Sequence, residues 1–457
     1  MILSQPSAPP VLRQASPAIV RVAATGPRAA VLNPRLPSSA EDGRVRARGL
    51  DWSWAIVLIV LGAVCYNAAL AFLNARGLIM QRSDVALAEI ALLFTGGLII
   101  VACGPRQGDA APAALGTFFV LNALIVSMVN NTIFVDMARN VGIIAVFMLL
   151  GLRASSRAVD RTFLIAALLV LCALLLEMIY VDTYVRLFQP AQYFFQTRGI
   201  GEFSLDKSGL FRNSLMVQNR FSFLSLSDHR TSSLFLEQVS LANFSTIVVM
   251  YLVIRWQALS RWTRFFFIAL TILILLSNDT RTGTTLALLA PLVYWLAPRS
   301  KRWVPLMCMP AALSAALAVV LLTPHAQGDN LAGRLHTTIT TLGAMPISSI
   351  LGATGPLAPK FADSGYTYVT YASSIFGMVA LWLFAALILP AANATQKRCA
   401  LMLNLFLSAN LLIGGTAVFT IKVAALMWLL VGFCLREKDE TAEPAAMAHR
   451  FGLARTP

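Results

Sequence analysis

Repeated apolar runs of about 20 residues constrain this chain more than any other feature of its sequence. Of its 457 residues, 58% are hydrophobic and only 12% are charged, and the mean hydropathy is +0.72. Soluble globular domains carry about 25% charged residues, so this composition excludes that class. A helix of about 20 apolar residues spans a bilayer with its backbone polar groups bonded internally. The sequence therefore predicts an all-α polytopic membrane protein.

The apolar runs define a predicted membrane domain, residues 51–436, with about 12 transmembrane helices. The predicted helices cover residues 52–73, 84–103, 113–129, 133–152, 162–181, 238–255, 264–277, 282–297, 303–323, 367–390, 399–414 and 417–435. Residues 1–50 are rich in Pro, Ala and Arg without helical periodicity, which predicts a disordered basic cytoplasmic tail. Residues 437–457 are predicted to form a second cytoplasmic tail.

Basic residues mark one side of this predicted domain. If the N-terminus is inside, every inner turn is basic, which is typical of cytoplasmic loops. These residues are Arg106, Arg153, Arg157, Arg161, Arg255, Arg261, Arg264, Arg299, Lys301, Arg302, Lys397 and Arg398. Both termini are then cytoplasmic, and two long polar loops, about 182–237 and 324–366, lie on the opposite face together with the turn Asn278–Gly283.

The turn Asn278–Gly283 opens the eighth predicted helix and carries Arg281. Backbone N–H groups and the dipole at a helix N-terminus favour an anion, and the planar guanidinium fork suits phosphate. Alternatively, Arg281 pairs with Asp279 and anchors the helix at the membrane interface. The sequence alone leaves both interpretations open.

The second long loop carries Arg334 and His336 in a segment that predicts a short amphipathic helix ending in a turn near Gly355. Arg334 then points into a charged chamber or, alternatively, is a solvated loop residue. Asp363 lies immediately before the tenth helix. A carboxylate there is a candidate N-cap and a candidate proton acceptor, and the two roles are not exclusive.

The first long loop ends with Arg230 and Glu237. One interpretation is a structural ion pair between them that folds the loop onto the helices. The other is that Arg230 contacts phosphate and Glu237 contacts an acceptor sugar. Within the predicted helices, Asp136 and Arg139 are spaced to pair with each other, because residues three apart share a helix face.

The histidines and cysteines lack the spacing of metal ligands, and the chain has no Walker motif or Gly-rich nucleotide loop. We therefore expect no metal and no cofactor. The +15 net charge lies partly in tails and short loops, where it meets anionic lipid, so nucleic acid is not an expected partner.

Three features, in this order along the chain, resemble the superfamily of bacterial Wzy-type polysaccharide polymerases and O-antigen ligases. They are the arginine that opens a helix in Asn278–Gly283, the outer loop from Arg334 to the Gly-rich turn at Gly355, and Asp363–Tyr368 followed by Ser373–Gly377. The segment Arg230–Asn243 is similar to the exopolysaccharide branch, which includes the xanthan-type polymerase. The resemblance covers about residues 52–435.

The resemblance implies a metal-independent, GT-C-like glycosyltransferase of the bacterial inner membrane with two long periplasmic loops. Its donor is a glycan on undecaprenyl pyrophosphate, and its acceptor is a second lipid-linked repeat unit. Arg281 and Arg334 are then expected to bind the pyrophosphate, with Asp363 as candidate base. The further candidate substrate-binding residues are Arg220, Arg230, Glu237, Tyr366 and His336. A chain-length regulator and export machinery are the implied partners.

Two other functions of the same membrane domain remain open. The ligase branch tends to carry a histidine where this chain has Asp363, which favours a polymerase. A lipid-linked oligosaccharide flippase or another secondary transporter predicts midplane charges and an internal repeat. The sequence shows few such charges and no repeat.

Overall fold

The computed structural model describes residues 52–199, 208–215, 226–326, 328, 330–413 and 415–450. These residues form helices and no strand, and eight of the helices are long and apolar enough to cross a membrane. The predicted all-α class is therefore confirmed. The predicted N-terminal tail lies outside the described residues, whereas residues 437–450 of the predicted C-terminal tail belong to the last helix.

A helix occurs at each of the twelve predicted apolar segments. These helices are α1 (Ser53–Ala75), α2 (Arg82–Ala102), α3 (Ala110–Asn130), α4 (Asp136–Arg153), α5 (Ser156–Ile179), α9 (Gln238–Arg255), α10 (Arg261–Asn278), α11 (Arg281–Leu296), α12 (Val304–Leu322), α15 (Gly365–Leu387), α16 (Ala394–Ile413) and α17 (Ile421–Arg450). The eight that meet the length and apolarity criterion are α1, α2, α3, α5, α9, α10, α12 and α15.

Short helices lie in the two polar inserts. The first insert contains α6 (Val181–Phe188), α7 (Pro190–Arg198) and α8 (Arg212–Leu215). The second contains α13 (Leu331–Gly343) and α14 (Ile347–Ile350), followed by a 3₁₀ helix, Gly355–Phe361. The amphipathic helix that the sequence predicts around Arg334 is therefore present as α13.

The interior of the protein is built around α9 and the N-terminal half of α17. Residues from Ala424 to Val431 are fully buried. Helix α17 crosses α4 at two glycines: a Cβ atom at Gly151 or Gly432 would overlap a backbone carbonyl, that of Leu429 or Met148, respectively. Small residues at a crossing let two helix backbones approach closely. The start of α17 lies against the N-terminal end of α9, where Lys422 donates a hydrogen bond to Glu237.

Helix α15 is broken at Ser373 and Ser374, where Ser374 adopts a left-handed φ of 62°. A non-glycine residue in this region costs free energy and persists only where its surroundings hold it. The turn at Gly352 of the second insert packs against Ser374. The sequence had predicted an unbroken helix over residues 367–390.

Charged residues inside the helices pair across helices. Arg139 of α4 forms an ion pair with Glu89 of α2, and the hydroxyl of Tyr66 donates a hydrogen bond of 2.7 Å to the same carboxylate. The predicted pairing of Arg139 with Asp136 is therefore wrong. A buried charge among apolar helices is costly unless it is paired. The pair between α2 and α4 gives the Glu89 carboxylate a counter-ion, whereas a pair of Arg139 with Asp136 within α4 would leave it without one.

Candidate functional site

Three arginines from distant parts of the sequence line one cavity of about 120 Å³. We call this cavity the arginine pocket. Among the described residues, its charged lining residues are Arg230, Arg281, Arg334 and Asp279. Its other lining residues are Val239, Ala242, Asn243, Thr246, Thr280, Thr282, Gly283, Asn330, Leu331, Asn410 and Ile413. The structure thus brings together both polar inserts and the turn between α10 and α11.

Arg281 is the first residue of α11, and its position follows from the turn before it. Asp279 is the C-cap residue that follows α10, and it has a left-handed φ of 50°. The Thr280 hydroxyl caps α11 by accepting a hydrogen bond from the Gly283 N–H at 3.4 Å. A hydroxyl in this position satisfies an N–H that the helix itself leaves unpaired. This turn places Arg281 at the N-terminal end of α11.

Arg230 is buried and is held by Asn278, the last residue of α10. Its Nε donates a hydrogen bond of 2.9 Å to the Asn278 carbonyl, and its Nη2 lies 3.5 Å from Asn278 Oδ1. The fully buried Asn278 amide in turn donates to the carbonyls of Thr231 at 2.5 Å and Gln238 at 2.9 Å. One side chain thus fixes Arg230, the start of α9 and the turn that carries Arg281.

The loop that carries Arg230 is also clamped by Glu177 of α5. This fully buried carboxylate accepts hydrogen bonds from the backbone N–H groups of Ser232 at 2.9 Å and Ser233 at 2.5 Å. His229 Nε2 lies 3.4 Å from the same carboxylate. These partners lie more than 50 residues from Glu177 in the sequence, so only the fold reveals them.

Arg334 comes from the first turns of α13. Asn330 caps this helix by accepting a hydrogen bond from the Gly333 N–H at 2.7 Å. Arg334 is exposed and its Nη1 donates to the Ile413 carbonyl at the end of α16, at 2.7 Å. Thr338 donates in the same way to the Leu412 carbonyl, at 2.9 Å. These bonds hold α13 across the end of α16 and place Arg334 at the pocket.

The charges and dipoles around the arginine pocket favour an anion. Among the described residues, three guanidinium groups and one carboxylate line it, so the summed charge of these residues is positive. The first residues of α11 and α13 also line it, together with residues from the first two turns of α9. N-terminal helix ends add N–H groups and a positive dipole end. The site therefore has the chemistry of a phosphate or pyrophosphate site.

An apolar groove of about 680 Å³ runs from the arginine pocket along α11, α12 and α16. We call it the α11–α12–α16 groove. It shares Arg281, Thr282, Leu331 and Ile413 with the pocket. Its α12 wall consists largely of small residues, namely Ala311, Ala312, Ala315 and Ala316. A charged pocket thus continues into a long apolar channel.

Three of the other predicted site residues, Asp363, Tyr366 and His336, lie outside the lining of the arginine pocket. Asp363 is exposed, and Ser364 rather than Asp363 is the N-cap residue of α15. Tyr366 is buried, and its hydroxyl lies 3.4 Å from the Ser408 carbonyl. His336 is partly buried on α13. Arg220 lies outside the described residues.

Glu237 belongs to an ion network at the start of α9. Its carboxylate accepts hydrogen bonds from Arg198 Nη1 at 2.9 Å and from Lys422 Nζ at 2.8 Å. Burial raises the pKa of this carboxyl, but Arg198 and Lys422 outweigh burial and hold the pKa well below its usual range. Glu237 thus pairs with Arg198 and Lys422, whereas the hydrogen bonds described for Arg230 go to Asn278. Lys422, a lone lysine in an apolar segment, is the signal that sequence reasoning missed.

Comparison with protein-family models, with curated proteins and with solved structures gives no match for this chain. Among the described residues, no group of three or more His, Cys, Asp or Glu side chains is arranged to hold a metal ion. The charges and shape of the arginine pocket are therefore the basis for assigning a function.

Proposed function

We propose that this protein polymerises undecaprenyl-pyrophosphate-linked oligosaccharide repeat units into an exopolysaccharide. The observation that carries the proposal is the junction of the arginine pocket with the α11–α12–α16 groove, which share Arg281. A polyprenyl pyrophosphate has a doubly charged head and a long apolar tail. The pocket suits the head and the groove suits the tail. The sequence resemblance to Wzy-type polymerases supports the same substrate class.

The proposed reaction is a single displacement at the anomeric carbon of the donor. An acceptor hydroxyl oxygen forms the new C–O bond as the bond between the anomeric carbon and the pyrophosphate oxygen breaks. The electron pair goes to the pyrophosphate, whose growing charge Arg281 and Arg334 stabilise. The hydroxyl proton goes to a carboxylate. The lipid pyrophosphate already activates the donor, so the step needs no metal or nucleotide.

The proposal includes the finer topology that the sequence predicts. All twelve long helices cross the bacterial inner membrane in a GT-C-like arrangement, with the arginine pocket on the periplasmic face and the basic turns in the cytoplasm. The implied partners are the lipid-linked oligosaccharide, membrane lipid, a chain-length regulator and the export machinery.

Deletion of the gene, followed by mass spectrometry of the polyprenyl-linked glycans, tests the proposal. We expect single repeat units to accumulate on the periplasmic side without polymer. Single units trapped in the cytoplasmic leaflet would instead indicate a flippase. Long lipid-linked polymer that never reaches lipid A would indicate an O-antigen ligase. An unchanged glycan profile would contradict any enzymatic role in this process.

The α11–α12–α16 groove gives a prediction about the lipid tail. Replacing Ala315 by tryptophan fills the groove, and we expect the KM for a donor with the full undecaprenyl tail to rise about tenfold, because apolar contact area is lost. A donor with a tail of one or two isoprene units should be affected less. Steady-state kinetics of the purified protein in nanodiscs measure both values.

Ala318→Trp provides the matched control for this prediction. Ala318 lies one turn further along α12, is exposed and does not line the groove. We expect its KM for the long-tailed donor to remain that of the unmodified protein. Equal KM values for the two tryptophan variants, or equal effects on long and short donors, would exclude the groove as the tail site.

A further inference from the structure

Asp279 supplies the one carboxylate among the described residues that line the arginine pocket. We propose that Asp279 binds the acceptor sugar hydroxyl and accepts its proton during glycosyl transfer. This inference rests on the proposed function and names the proton acceptor for it. It differs from the expectation drawn from the sequence, in which Asp363 was the candidate base.

The backbone fixes where Asp279 lies. Its N–H donates a hydrogen bond of 3.1 Å to the Leu275 carbonyl at the end of α10, and its φ of 50° is left-handed. Aspartate adopts this conformation more readily than most residues do. The buried Asn278 precedes it and the cap residue Thr280 follows it. Asp279 is therefore held between two fixed helix ends, two residues before Arg281.

The side chain of Asp279 offers an unused acceptor. Its Oδ2 is buried and has no hydrogen-bond partner among the described residues. Buried polar atoms in folded proteins almost always have a partner, so an orphaned carboxylate oxygen in a cavity wall calls for a ligand that donates to it. The pyrophosphate of a lipid-linked sugar cannot do so at neutral pH, because it is esterified at both ends, fully ionised, and carries no proton to donate. A hydroxyl group can.

A second orphaned atom belongs to another residue that lines the same pocket, and it has the opposite character. Asn243 Nδ2, on α9, is buried and has no acceptor in the described part of the chain. One unused donor and one unused acceptor in a single cavity match an alcohol, since a hydroxyl both accepts and donates a hydrogen bond. The arginines account for the anionic part of the substrate, and these two atoms account for a sugar hydroxyl beside it.

This arrangement gives a complete proton path for the proposed reaction. The acceptor hydroxyl donates its hydrogen bond to Asp279 Oδ2 and accepts one from Asn243. As the hydroxyl oxygen bonds to the anomeric carbon, its proton passes to Asp279 and the bond to pyrophosphate breaks. Arg281, two residues away, faces the same cavity and stabilises the leaving group. Asp363, by contrast, is exposed and does not line this cavity.

The test compares Asp279→Asn with Asp363→Asn in the purified full chain, using a synthetic lipid-linked repeat unit as donor and acceptor. We expect Asp279→Asn to lower kcat at least about a hundredfold, because the amide cannot take the proton. Binding of undecaprenyl pyrophosphate itself should be retained, since the arginines remain. Asp182→Asn, an exposed aspartate on α6, is the control and should keep the activity of the unmodified protein.

The outcomes separate this inference from the proposed function. Loss of kcat with retained pyrophosphate binding in Asp279→Asn supports it. A larger loss in Asp363→Asn than in Asp279→Asn overturns it, and so does loss of pyrophosphate binding together with activity, which indicates a structural role. If Arg281→Ala is inactive while Asp279→Asn is active, only this inference fails. If Arg281→Ala keeps full activity, the proposed function fails.

Discussion

Replacing Arg281 by alanine is expected to abolish polymer while folded protein remains in the membrane. The side chain opens α11 at the junction of the arginine pocket and the apolar groove. Removing one group that stabilises developing negative charge lowers kcat by about a hundredfold to a thousandfold. Gel analysis of the polysaccharide and immunoblotting of the membrane fraction measure the two quantities.

Arg281→Lys distinguishes a guanidinium fork from a simple positive charge. Lysine keeps the charge but cannot form two parallel hydrogen bonds to a pyrophosphate, so we expect this variant to fail almost as badly. The control is Arg299→Ala, because Arg299 is an exposed arginine just beyond the opposite end of α11. Polymer of normal amount and length from Arg281→Ala would contradict the assignment of this pocket to the donor pyrophosphate.

The helices could be predicted from the sequence because their signal is local. A run of apolar residues long enough to span a bilayer is visible without knowledge of any neighbour. The break in α15 is different, since Ser373 and Ser374 lie in an apolar run and the turn at Gly352 packs against Ser374 from another segment. The same holds for Arg139, whose partner Glu89 lies on a different helix.

The candidate site shows the same division between local and long-range information. Basic turns on one side indicated that the two inserts and the Arg281 turn share a face, and the structure brings Arg230, Arg281 and Arg334 to one cavity. The sequence could not show which carboxylate accompanies them. Asp363 stood out by its place before a helix, whereas Asp279 was visible only as a possible partner for Arg281.

The ion network around Glu237 carries the second large expected effect. Replacing Glu237 by glutamine should destabilise the folded chain by about 3–5 kcal/mol, because Lys422 then keeps a buried charge without its counter-ion. The Lys422 side chain is only 2% exposed, so water cannot replace the carboxylate. Thermal unfolding in detergent, followed by tryptophan fluorescence, measures the change as a lower Tm. Asp182→Asn is the control for loss of a carboxylate that is exposed.

The pH dependence of Tm provides a second measurement of the same network. The pKa of Glu237 lies well below its usual range in the folded chain. A lowered pKa contributes stability above the unfolded value of about 4.3, and this contribution is lost as the pH falls through the folded value. We expect the Tm of the unmodified protein to fall on acidification below about pH 4.3. The part of this fall that comes from protonation of Glu237 should be missing in Glu237→Gln.

The double variant Glu237→Gln/Lys422→Met decides whether the stability comes from the charges or from their pairing. Removing both buried charges should recover most of the Tm, since an apolar side chain of similar size replaces the lysine without a desolvation cost. Arg198 then keeps contact with water, because 40% of its side chain is exposed. If the double variant is as unstable as Glu237→Gln, the unpaired charge of Lys422 is not the cause of the lower Tm. If Glu237→Gln unfolds at the original Tm, the network does not stabilise the start of α9, and Glu237 becomes a candidate for binding substrate.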